Sequence, residues 1–180
     1  MITPIGNDLA ANEVALRAGK CGVGRVPDFV EHKLSCEVGG LVQGPLETEL
    51  IDRKKLRFCP PVGVMSVIAA QEAFAEAGLP LEELRERRIA IIGGVAGSNY
   101  IEVFNEADKY IRTDYRLRNV SPYSVPRVMP SSAISNLSLI FGITGESYDI
   151  SAACASSALS ILVGTRLIRS GQYDIVLARG

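Results

Sequence analysis

Cys154 is the residue best placed to do chemistry. It lies in Tyr148-Asp149-Ile150-Ser151-Ala152-Ala153-Cys154-Ala155-Ser156-Ser157, where a β-rich segment stops at the cysteine and a small-residue helical run begins straight after it. A helix start leaves backbone N–H groups unpaired and carries roughly half a positive charge. It favours thiolate over thiol, draws the cysteine pKa below its ordinary value, and so makes the sulfur a candidate nucleophile. Free cysteine is more often a buried, inert small hydrophobe, so context decides. Ala152, Ala153 and Ala155 leave room around the sulfur, and the helix behind it keeps Ala158, Leu159, Ile161, Leu162 and Val163 around most of its circumference. A helix apolar nearly all round is a buried one, which predicts Cys154 at the bottom of a pocket.

Other chemistries find little support. The four cysteines, Cys21, Cys36, Cys59 and Cys154, form no C-x-x-C pair, and the single histidine, His32, leaves no zinc-site spacing, so no metal centre is expected. Unpaired cysteines of this kind indicate a reducing, cytosolic setting. The loop Gly93 to Ser98 has neither the G-x-G-x-x-G nor the G-x-x-x-x-G-K-[ST] spacing, which leaves nucleotide binding weak. A chain of 180 residues with 47% hydrophobic and 22% charged residues fits one compact globular domain with a sizeable core. Its net charge of -1 argues against a bulk nucleic-acid or membrane-surface role and leaves local charge as the informative quantity. Arg53, Lys54 and Arg57 form a compact basic cluster, and Arg116 stands near Arg118. Taken alone, such a cluster reads equally well as a solvated charged face. Met1 is followed by Ile2-Thr3-Pro4 without a basic or apolar leader, and no apolar run reaches membrane-spanning length.

The elements that must hold Cys154 follow from periodicity and breakers. Asn7 or Asp8 can cap a first helix running to about Ala18, ended by Gly19 and the turn at Cys21-Gly22-Val23-Gly24. Residues 25 to 60 read as irregular, with a short strand within Cys36 to Val42. Pro61 to Ala77 is a helix by the spacing of Met65, Ile68, Ala69 and Ala73, with Gln71, Glu72 and Glu76 facing water. Arg88 to Gly93 is a short apolar run of the kind buried on both faces of a parallel sheet. Tyr100 to Arg112 is a helix, Ser121 to Pro130 a loop or broken turn, and Ser131 to Phe141 a buried helix ended by Gly142 and Gly145. The strand before Cys154, a helix to about Arg169 and a strand from Asp174 to Ala178 complete a strand-helix-strand unit. The whole is α/β with a mostly parallel sheet. Three such strands with open edges make a poor, aggregation-prone sheet, so the chain is expected to be incomplete as a folding unit.

With Pro4-Ile5-Gly6-Asn7, the block Leu50 to Phe58 and Gly93-Gly94-Val95-Ala96-Gly97-Ser98, the stretch Ser147 to Ser160 resembles the N-terminal half of a β-ketoacyl-acyl carrier protein synthase. The Ile51-Asp52-Arg53-Lys54 block and Ser121-Pro122-Tyr123 most resemble the bacterial elongating synthase I branch. The resemblance implies a thiolase-like, layered α/β/α fold, of which residues 1 to 180 would be the N-terminal domain without its first strand and the C-terminal half. It implies a decarboxylative Claisen condensation in fatty acid or polyketide biosynthesis, with Cys154 as the acyl-accepting nucleophile and its N–H as half of an oxyanion hole. It further implies docking of acidic acyl carrier protein at Lys54 and Arg57, with Arg53 in the same cluster and Arg118 at a further position. Val95 aligns with a gate of the acyl pocket, with ordinary packing an equal alternative. Phosphopantetheine would arrive on the carrier protein, so no cofactor of the chain's own is expected. Met129, Ile134, Leu137 and Phe141 would serve as core or as a homodimer interface.

The chain departs from this pattern in one respect. The family's two catalytic histidines and accompanying lysine have no counterpart here, and His32, in a polar connecting segment, matches neither histidine. An inactive remnant or dimerising partner is therefore the alternative to a working acyltransferase. A cysteine hydrolase fits worse, because a nucleophile elbow wants glycine two positions either side of the nucleophile, where Ala152 and Ser156 stand.

Overall fold

The structure is a computed structural model and describes residues 1–97 and 99–180. Ser98, the last residue of the expected glycine-rich loop, lies outside the described residues. The chain divides into two compact units, Met1–Leu46 and Glu47–Gly180.

In the first unit, helix α1 (Leu9–Arg17) starts at Asp8, whose carboxylate accepts from the Ala11 N–H at 2.6 Å, as the cap residues predict. Strands β1 (Gly24–Arg25) and β2 (Val38–Gly39) pair antiparallel around a short helix α2 (Pro27–Glu31). The strand expected within Cys36 to Val42 is thus two residues long, and the region read as irregular contains a helix opened by Pro27. Buried Asn12 organises this unit. Its amide donates to the carbonyls of Gly6 at 2.9 Å and Asp8 at 2.6 Å, and its oxygen accepts from the Thr3 hydroxyl.

The second unit is built on a three-stranded parallel sheet, β3 (Ile89–Gly94), β4 (Ser147–Ile150) and β5 (Ile175–Arg179), in the order β4-β3-β5. Strand β3 is buried along its whole length, as its unbroken apolar run requires. Ile89 and Ile91 face one way, into a core with Val67, Phe74, Ile134, Leu137 and Phe141 from helices α3 (Pro61–Glu76) and α6 (Ser132–Phe141). Ala90 and Ile92 face the other way, onto Leu167 and Val163 of helix α7 (Ser156–Arg169). Helices thus cover both faces of the sheet, a layered α/β/α arrangement. Helix α4 (Tyr100–Arg112) has the expected bounds, and α6 ends at Gly142, in the left-handed conformation at φ 67°.

Three local expectations need correction. The segment Ser121 to Pro130 is not simply a loop, because helix α5 (Ser124–Val128) forms within it. Helix α3 buries Gly63, Val67, Ala70 and Phe74 rather than the face centred on Met65, Ile68, Ala69 and Ala73. Gly63 lets the helix close onto its neighbours, since a Cβ there would stand 2.8 Å from the Cys59 sulfur, and Ala73 is turned out to solvent. Helix α7 is not buried all round: Ser156, Ser160, Gly164 and Leu167 meet the sheet, whereas Ile161 and Ile168 are 60% and 47% exposed. Its apolar circumference exceeds what one sheet face covers.

Candidate active site

Cys154 occupies the middle of a single 3₁₀ turn, Ala153–Ala155, which joins β4 to α7 and runs directly into that helix. The sequence expectation of a thiol at a helix start is met in this geometry. The expectation of a pocket floor is not, because Cys154 is exposed: the side of α7 away from the sheet carries no second layer among the described residues.

The turn is held by one buried hydroxyl. Ser156 Oγ accepts from the Ala152 N–H at 2.8 Å and donates to the Ala153 carbonyl at 2.7 Å, with the Val95 carbonyl 3.3 Å away. The Val95 N–H in turn donates to the Ile150 carbonyl at 3.0 Å, which extends the β3–β4 ladder by one residue. Between these anchors Ala153 adopts φ 49°, a left-handed conformation that is costly for a residue with a Cβ and is held by its surroundings. Gly94 completes the arrangement. A Cβ on it would lie 2.5 Å from Ser157 N and 2.6 Å from the Ser156 carbonyl oxygen, so only glycine lets α7 begin directly against the end of β3.

The structure therefore brings Val95 to the Cys154 turn. Arg53, Lys54 and Arg57 sit elsewhere, exposed on or beside the 3₁₀ turn Lys55–Arg57, and Arg118 is exposed on a second 3₁₀ turn, Leu117–Asn119, that packs on α4. None of the four forms an ion pair among the described residues. His32 is exposed at the end of α2 in the first unit. No group of three or more metal-ligating side chains gathers among the described residues, and no helix is long and apolar enough to cross a membrane.

Two positioning features escaped sequence reasoning. One is Ser156, whose hydroxyl could have been suspected only from its place two residues after the cysteine. The other is Arg127 on α5. Its guanidinium pairs with Glu102 of α4 at 2.7 and 3.1 Å, and its Nη1 donates to the carbonyls of Leu56 at 3.3 Å and Cys59 at 3.4 Å. It thereby fastens the basic turn to α4.

Two expected results follow from these contacts. Ser156→Ala leaves the Ala152 N–H without its acceptor and is expected to cost about 1–2 kcal/mol in urea unfolding, with slower alkylation of Cys154 at unchanged labelling of Cys21 and Cys36. In the native protein a chromogenic disulfide reagent is expected to titrate Cys21, Cys36 and Cys154, all exposed, and to spare Cys59 until the chain unfolds. Cys59 is 2% exposed, and burial pushes its thiol up to about 11 against the opposing charge of Arg127. Four rapid equivalents without denaturant would contradict this packing.

The profile of the beta-ketoacyl synthase N-terminal domain matches residues 1–180. The chain is 33% identical over 182 residues to 3-oxoacyl-[acyl-carrier-protein] synthase 1 of Haemophilus influenzae, covering all of this chain and 44% of that protein. Among solved structures, a beta-ketoacyl synthase from Burkholderia phymatum superposes with a TM-score of 0.80 at 25% identity, over 96% of this chain and 42% of that one. A type II PKS acyl-carrier protein in complex with its ketosynthase superposes at 0.69 and 18% identity, over 94% of this chain and 44% of that one, a likeness of fold. The fold is accordingly thiolase-like, as the resemblance implied, and the chain spans somewhat less than half the length of these relatives.

Proposed function

Because the chain belongs to the β-ketoacyl synthase family and matches its N-terminal domain, we propose that it carries the acyl-accepting part of a 3-oxoacyl-acyl carrier protein synthase. The observation that supports this reading is the exposed Cys154 on a stapled turn at the head of α7. In the proposed reaction the Cys154 thiolate attacks the carbonyl of an acyl thioester. The tetrahedral oxyanion takes a hydrogen bond from the Cys154 N–H, and collapse expels the carrier's phosphopantetheine thiolate, leaving a Cys154 thioester. Condensation then requires loss of carbon dioxide from a malonyl thioester and attack of the resulting carbanion on the Cys154 thioester carbonyl, which returns the Cys154 thiolate. The resemblance assigns the decarboxylation step to two histidines, and His32, exposed at the end of α2, matches neither, so Cys154 is proposed for acylation alone. Val95, against the turn, would border the acyl chain.

The partner in this reading is acyl carrier protein, met by Arg53, Lys54, Arg57 and Arg118. A homodimer through the α6 and β4 faces, a cytoplasmic location and the absence of a cofactor of its own belong to the same proposal. Long-range attraction between exposed charges is screened over about 10 Å at 0.1 M salt, so reversing Lys54 and Arg57 together should slow acylation at low salt and matter little at high salt.

The deciding experiment is intact-mass analysis after incubation with acyl-carrier protein or cerulenin, with Cys154→Ser as control. The expected result is a mass gain on Cys154 of one acyl group from the acylated carrier protein, or of one whole cerulenin molecule, lost in the control. Its absence would favour the second reading, a non-catalytic dimerising partner.

A further inference from the structure

Asp149, Gly93 and Arg179 stand side by side in the register of β4, β3 and β5. On the face of the sheet covered by α3 and α6, Gly93 presents no side chain, and the two charged groups reach toward each other across it. Arg179 Nη1 lies 3.7 Å from Asp149 Oδ1, with the side chains only 15% and 6% exposed. A Cβ at position 93 would stand 3.0 Å from the Asp149 carboxyl carbon and 2.9 Å from Ile134 Cδ1, so the glycine opens the gap that the pair fills. Neither oxygen of Asp149 nor Nη1 of Arg179 has a hydrogen-bond partner among the described residues, which leaves each charge to be compensated by the other.

Arg179 is a junction in other respects. Its Nε donates to the Ser66 hydroxyl of α3 at 2.9 Å, and its backbone carbonyl accepts from the Ser160 hydroxyl of α7 at 3.0 Å. Asp149 is followed by Ile150, whose carbonyl holds the Val95 N–H, and beyond Ser151 by Ala152, whose N–H is held by Ser156. Burial raises the Asp149 carboxyl and lowers the Arg179 guanidinium, each opposed by the charge of its partner. An ion pair so dehydrated is a poor source of net stability, and its best-attested use is to fix register.

We propose that Asp149 and Arg179 are positioning residues, a buried pair clamped across Gly93 that fixes the ends of β4 and β5 and so sets where the Cys154 turn stands. The inference deepens the reading of Cys154 as the acyl-accepting nucleophile and rests on it for its functional meaning.

The test uses the whole chain and four proteins: parent, Asp149→Asn, Arg179→Met and the conservative Arg179→Lys. Hydrogen exchange is followed in peptides covering residues 147–157, and Cys154 alkylation is timed with Cys21 and Cys36 as internal references. Asp149→Asn and Arg179→Met are expected to exchange at least tenfold faster in that peptide and to alkylate Cys154 at least fivefold more slowly, with the reference cysteines unchanged. Arg179→Lys, which keeps the charge, should stay within threefold of the parent in both. If Arg179→Met does not fold, the near-isosteric Asp149→Asn decides alone. Exchange and alkylation within twofold of the parent in Asp149→Asn would overturn the proposal, and so would an Arg179→Lys as impaired as Arg179→Met. Should exchange follow the expected pattern while no variant or parent accepts an acyl group, the positioning pair stands and the acyltransfer reading fails.

Discussion

Gly94→Ala is expected to cost about 2–3 kcal/mol of stability and about 100-fold in the proposed acyl transfer to Cys154. The added carbon would sit within 2.6 Å of main-chain atoms of Ser156 and Ser157. Backbone at the start of a helix cannot rotate away as a flexible side chain can, so α7 must move outward by about an ångström or β3 must bend. Either response pulls Ser156 from the Ala152 N–H, and the turn that presents the thiol loses its staple. Urea unfolding should show a lower midpoint at an unchanged slope, and intact-mass kinetics should show the lost acylation. Gly24→Ala is the matched control, since a Cβ there meets nothing within 4 Å. Parent-like acylation in Gly94→Ala would mean that α7 does not need its close approach to β3.

Arg127→Met is expected to destabilise the second unit by about 2–3 kcal/mol. The Arg127–Glu102 pair is largely buried, at 20% and 17% side-chain exposure, so removing the guanidinium strands a carboxylate as well as two carbonyls. Glu102→Gln should cost less, because the amide still accepts from Arg127, and the double variant should recover part of the loss through a favourable coupling term. The local consequence falls on the basic turn, whose carbonyls at Leu56 and Cys59 lose their donor. Protease cleavage near residues 53–58 should accelerate in Arg127→Met and not in Glu102→Gln. Equal stability of Arg127→Met and the parent would show that water replaces the clamp at no cost.

The sequence made local order legible and long-range pairing obscure, for reasons visible in particular residues. Helix α4 was legible at its observed bounds, and α6 was legible from its apolar run and Gly142, because helix signals are confined to a few neighbouring positions. Strand β3 was legible because burial on both faces leaves an unbroken apolar run. That β3 lies between β4 and β5 was not, since nothing in a strand-helix-strand unit reveals that another strand separates its two members. The buried face of α3 was misjudged because the helix carries apolar residues on more than one side, so Met65 and Ile68 keep helical spacing as well as Val67 and Phe74 do, and only packing against β3 and α6 selects between them. At the site, residue type and position identified the thiol. The supporting contacts of Ser156, Arg127, Asp149 and Arg179 link positions up to 113 residues apart, as between Arg179 and Ser66, and leave no periodic trace.

The φ of 49° at Ala153 carries a consequence for mutational tolerance. In that region glycine relaxes freely and asparagine is accommodated, whereas valine, isoleucine and threonine clash with their own main chain. A saturation library at position 153 should therefore be ranked by backbone energetics rather than by polarity or volume. Glycine should survive selection for foldedness and β-branched side chains should vanish from it, though the latter are no larger than many residues an exposed turn would otherwise accept.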